Sequence, residues 1–118
     1  MPVYTIYHRS CIPSETRISV AERLTLLHSS VTGAGPELVK VMFVDLDSDS
    51  IFIGGARPAT YIRAFAQIRE GRTTIQKSEI LYGMYEILRS AMPSGEIQTQ
   101  TVEIDDTKTV MTNGKMNE

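Results

Sequence analysis

The sequence predicts an α+β fold: a duplicated β-α-β unit that gives a four-stranded mixed sheet with two helices on one face. Two observations predict it. A β-prone run, a stretch with helical apolar spacing and another β-prone run follow one another twice along the chain, and a break bearing glycine or proline closes each helical stretch. Parallel strands need helical crossovers, and two such units pairing side by side put both helices on the same side of the sheet.

"VYTIYH" at 3–8 is the first strand, rich in β-branched and aromatic residues. "IPSE" then breaks the run and offers Ser14 as a helix cap. From Arg17 onward, Ile18, Ala21, Leu24, Leu27 and Val31 recur at helical spacing, which predicts an amphipathic helix stopped by Gly33 and Gly35 in "TGAG". "LVKVMFVDL" at 38–46 reads as the next strand, and "SIFIGG" at 50–55 as a shorter one closed by a glycine pair. The second unit opens with "ATYIRAFAQI" at 59–68 as a strand and "REGR" at 69–72 as a tight turn. Thr73 and Gln76 fit a capping box. Ile80, Leu81, Met84, Ile87, Leu88 and Ala91 then mark one helical face before "MPSG" ends it, and "EIQTQTVEI" at 96–104 alternates as a half-buried strand. Residues 1–104 form the predicted domain. The remaining 105–118 are polar and aperiodic, expected as a loose arm or an inter-subunit contact.

At 118 residues, 42% hydrophobic and 22% charged, the composition is that of one globular unit rather than a disordered chain or a fibre. Cys11 is the single cysteine, which excludes an internal disulfide framework and fits a reducing compartment. No leader-like start is present and no run approaches the ~18 apolar residues of a membrane span, so a cytoplasmic chain without a membrane partner is expected. A net charge of −2 argues against nucleic acid as a partner. The glycines at 33–35 and 54–55 lack the spacing of phosphate-binding loops, and no nucleophile triad or metal-ligand spacing stands out, so no cofactor and no metal are expected. Two helices cover only one sheet face, which makes a further copy of the chain the economical cover for the other.

Three places carry chemistry. Pro2 admits two readings: a residue confined to a strand start because it lacks an N–H, or, once an initiator methionine is trimmed before a small residue, a terminal secondary amine able to move protons. In "REGR", Arg69 and Arg72 flank a glycine turn that leads into a helix N-terminus. Such a turn is either a solvated surface feature or an anion site whose cations also lower the pKa of a nearby amine. His28 falls four residues after Leu24 on the apolar stripe, as a satisfied core histidine or as a buried helper; His8 ends the first strand and carries no spacing signal.

With "PVYTIYH" at the start, "LLHSSVTG" around His28, "VMF" and "IFIGG" in the middle and "IREGR" before the second helix, the chain resembles the tautomerase superfamily, most closely its cis-3-chloroacrylic acid dehalogenase group. The resemblance covers about the first hundred residues and implies a homotrimer with an amino-terminal proline at the floor of a pocket near the subunit boundaries. It implies Pro2 as the catalytic amine, Arg69 and Arg72 as the clamp for a small carboxylate substrate, and His28 as a residue that positions or polarises it. The group's water-activating tyrosine and glutamate fall near Gln100 and Met111, neither of which can act as a general base. The first expectation is therefore keto-enol proton transfer. Weak cis-3-haloacrylic acid dehalogenation or hydration, and a non-catalytic binding trimer, are the alternatives.

Overall fold

Alternation along the first strand decides the layering of the molecule. In the computed structural model, which describes residues 2–105, β1 (Val3–Arg9) buries Tyr4, Ile6 and His8 and leaves the side chains between them half-exposed. β3 (Tyr61–Arg69) repeats the pattern with Ile62, Ala64, Ala66 and Ile68. These side chains meet α1 (Ser14–Thr32) and α2 (Thr74–Ala91), which bury Val20, Leu24 and His28, and Ile80, Met84, Ile87 and Leu88, respectively. Each large aliphatic side chain withdrawn from water there contributes about 1.5–3 kcal/mol.

β2 (Lys40–Asp45) and β4 (Glu96–Ile104) complete a sheet of order β2-β1-β3-β4. β1 runs parallel to β2 and antiparallel to β3, and β3 runs parallel to β4, so each α-helix is the crossover of one parallel pair. This is the duplicated β-α-β arrangement and mixed sheet that the sequence predicts. β4 matches its predicted range, and α2 has the predicted capping box: Thr73 Oγ1 accepts from the Gln76 N–H and Gln76 Oε1 accepts from the Thr73 N–H.

Four local expectations are corrected. Residues 50–55 form no strand: Ile53 and Ala56 make one isolated bridge around Gly54 and Gly55, both at positive φ, and Pro58 has no N–H with which to extend a ladder. Ser14 is not a cap but the first helical residue of α1. Pro13 holds the cap position without a side-chain bond, and its carbonyl accepts the first helical N–H from Arg17. Ile18 is 56% exposed rather than part of the buried stripe. It lies six residues before Leu24, about 120° round the helix, whereas Val20 lies only about 40° away and takes the inward place. Residues 36–38 form a 3-10 turn, so the second strand begins at Lys40. The tail expected from residue 105 lies outside the described residues except for Asp105.

The opposite sheet face has no cover from the described residues. Register places Val44, Tyr7, Arg63 and Gln98 in one row across it and Met42, Thr5, Phe65 and Gln100 in the next. Tyr7 and Phe65 meet edge to face, with ring centroids 6.0 Å apart.

Candidate active site

β1 begins where β3 ends, because the antiparallel register pairs Val3 with Gln67. Pro2 precedes Val3 and is buried; its carbonyl accepts the Lys40 N–H at 3.2 Å, which ties the start of the chain to β2. By strand alternation Pro2 lies on the helix-facing side with Tyr4. His28 reaches this side from the penultimate turn of α1, and the Tyr4 hydroxyl meets its Nδ1 at 2.7 Å, the rings crossing nearly edge to face.

The protons of this pair can be placed. Burial pushes the Tyr4 phenol above its usual value, so it keeps its proton and donates it. His28 is pushed down to about 4, chiefly by burial, with the Arg72 guanidinium and the chain's amino terminus adding to the effect. It is therefore neutral at pH 7, accepts at Nδ1 and carries its own proton on Nε2. Tyr4 is the residue that sequence reasoning missed. Period-two alternation from Pro2 was the available signal.

Arg72 is half-buried beside the N-terminus of α2, and its Nε is buried without a hydrogen-bond partner. A guanidinium N–H left unsatisfied near a helix N-terminus is an anchor for an anion. Gln76 fixes that end of the helix: besides completing the cap, its amide donates to the Val31 carbonyl in the last turn of α1 at 3.1 Å. One side chain thus joins the helix of His28 to the turn of Arg72. Arg69 is exposed at the end of β3 and takes the register of the open face. His8 lies at the far end of β1, fully buried, its Nδ1–H donating to the Ser10 carbonyl at 2.9 Å. The chain therefore gathers Pro2, Tyr4, His28 and Arg72 at one end of the sheet, with Arg69 at its rim.

Gln100, on the opposite face, accepts from Arg63. Met111 lies outside the described residues. Among those described, no group of acidic, histidine and cysteine side chains is arranged to hold a metal, and no helix is long and apolar enough to cross a membrane.

Over residues 1–115 the chain matches the model of a family, Tautomerase_3, described as "Putative oxalocrotonate tautomerase enzyme". No curated protein matches it. Among solved structures it is similar to N1, a member of the cis-3-chloroacrylic acid dehalogenase (cis-CaaD) family, at 29% identity and TM-score 0.83, covering 98% of this chain and 83% of that one. It is also similar to Pt0534 inactivated by 2-oxo-3-pentynoate, at 17% identity and TM-score 0.87, with 98% and 95% covered. A third, the F6 fused 4-OT wild type asymmetric trimer, aligns at 20% identity and TM-score 0.81, again with 98% and 95% covered.

Proposed function

The chain belongs to the Tautomerase_3 family, and from that membership we propose that it is a tautomerase-like enzyme in which the Pro2 amine transfers a proton between oxygen and carbon of a small enol or keto acid. The reading requires removal of Met1, because an acylated proline nitrogen has no basic lone pair. Pro2 is buried beside the Tyr4–His28 pair, and in its neutral form a terminal secondary amine can act as a base. Arg72 and Arg69 hold the substrate carboxylate. In ketonisation the Pro2 nitrogen takes the enol O–H proton and returns it to carbon, so one O–H bond breaks, one C–H bond forms and no co-reactant is consumed.

His28 contributes as a neutral donor. Its Nε2–H stabilises negative charge that develops on the substrate oxygen, while Tyr4 holds the ring in the required tautomer. The observation that carries this reading is the buried Tyr4–His28 pair lying in the field of Arg72 next to the chain start. We further propose a homotrimer in the cytoplasm, supported by the uncovered sheet face and by the trimeric fused 4-OT that shares the fold.

Ketonisation of phenylenolpyruvate tests the reaction. Replacing Pro2 with Ala should lower kcat by about a hundredfold or more, the usual share of a positioned acid-base group. Arg69→Ala and Arg72→Ala should chiefly raise KM. Incubation with 2-oxo-3-pentynoate should give one adduct on the peptide that begins with Pro2, and the same mass spectrum reads whether Met1 is gone. Unchanged activity in Pro2→Ala, or Met1 retained in the active protein, overturns the proposal. The likeness to the cis-CaaD family member N1 favours a second reading, weak hydration or dehalogenation of three-carbon acrylic acids. It is the weaker one, since Gln100 offers no titratable group and is held by Arg63 on the other face.

A further inference from the structure

The outer side of α1 carries a buried polar group that the proton-transfer site does not use. Thr25 and Thr32 each fold a hydroxyl back onto the carbonyl one turn earlier, donating to Ala21 and His28 at 2.8 Å. Ser29, between them, does not: its Oγ is buried and has no hydrogen-bond partner. A hydroxyl has one donor and two acceptor sites, and a buried one is normally met by a partner.

Ser29 lines a depression of about 520 Å³ together with Ala21, Glu22, Thr25, Leu26 and Pro36. The five α1 residues fall at i, i+1, i+4, i+5 and i+8, which is one face of the helix, and Pro36 closes the hollow from the 3-10 turn. Leu24 and His28 are buried in the core and Leu27 lies against Gly83 of α2, so this face is turned away from both the sheet and the other helix. Its middle is apolar, with Leu26 exposed to water. Glu22 stands exposed at one end and pairs with no cation among the described residues. Ser29 marks the other end, seven residues on, or about 10 Å along the axis.

We propose that this depression binds a small organic ammonium ion whose apolar body carries a hydroxyl at its far end. The ammonium meets the Glu22 carboxylate, the body covers Ala21, Leu26 and Pro36, and the ligand's hydroxyl pairs with Ser29 Oγ. Charge selects the cation, and the unmet hydroxyl selects the second polar group. Neither the proton-transfer reading nor the assembly on the open sheet face is needed for it.

Amide chemical-shift titration of the full chain, labelled with nitrogen-15, tests it with four matched probes. Tyramine has an ammonium and a hydroxyl at opposite ends of an aromatic body. Phenethylamine lacks the hydroxyl, 4-ethylphenol lacks the ammonium, and 3-(4-hydroxyphenyl)propionate reverses the charge. Tyramine should give saturable shifts centred on residues 21–29, with phenethylamine and 4-ethylphenol each weaker by about threefold or more and the propionate without saturation. Glu22→Gln should level tyramine with 4-ethylphenol, and Ser29→Ala should level it with phenethylamine, the circular dichroism of both variants remaining that of wild type. The proposal is overturned by the absence of saturable shifts at millimolar tyramine, by shifts centred elsewhere, by equal affinity for all four probes, or by affinities that neither substitution changes.

Discussion

His28 is neutral because three influences act in one direction: its burial, the Arg72 guanidinium and the amino terminus all oppose a second proton on the ring. The folded pKa of about 4 lies below the value near 6.5 of an unfolded chain, so between those pH values the unfolded state binds more protons. Stability contributed by neutral His28 is therefore complete above pH 6.5 and is lost as pH falls towards 4. Across that window it amounts to about 3 kcal/mol. Wild type should accordingly lose several degrees of Tm between pH 7 and pH 4.5 beyond what His28→Gln loses over the same range. Equal losses in the two proteins would show that His28 is protonated as easily in the fold as outside it. The same neutrality predicts that ketonisation does not follow a histidine titration between pH 5 and 7.

Between residue and sheet, the element that sets the site is the junction of the two helices at Gln76. Its side chain accepts from the Thr73 N–H and donates to the Val31 carbonyl, and its own backbone N–H is capped by Thr73. Gln76→Ala removes both side-chain bonds and should cost about 1–2 kcal/mol. Gln76→Glu keeps the acceptor, gains from the helix dipole and should cost roughly half as much. Chemical denaturation of the two variants would read the difference, and equal stability of Gln76→Ala and wild type would remove the junction from the account. The capping box was legible in the sequence because it is local, two residues three apart. Its second bond, 45 residues away at Val31, left no local trace. The same division runs through the fold. α2 and β4 read correctly because their apolar spacing is unambiguous, whereas "SIFIGG" has strand composition but no partner segment, and pairing rather than propensity makes a strand. Pro2, His28, Arg69 and Arg72 could be named from sequence pattern and family resemblance, yet the proton positions on Tyr4 and His28 depend on a contact that only folding creates.

At the scale of the whole molecule, the described residues cover the sheet on one face. Its helix face is closed by α1 and α2, but the other presents Met42 at 50% and Val44 at 37% exposure on β2, next to the Tyr7–Phe65 pair. Apolar and aromatic side chains in adjacent rows of a sheet form a continuous surface, and a small domain gains by covering it with its own kind. The proposed trimer makes a sharp test possible, because Met42 is half exposed and Val44 more than a third exposed in the single chain, on the face away from the helices. Replacing both with lysine should cost the single chain about 1 kcal/mol per site or less while placing two buried charges in the assembled interface. Native mass spectrometry should give three times the chain mass for wild type and mainly the single-chain mass for Met42→Lys with Val44→Lys, the circular dichroism remaining unchanged. If the proposed pocket is completed at a subunit boundary, ketonisation should fall with the trimer population as the protein is diluted, and the lysine variant should show the low activity at every concentration. A wild type that is monomeric at micromolar concentration and fully active would separate catalysis from assembly.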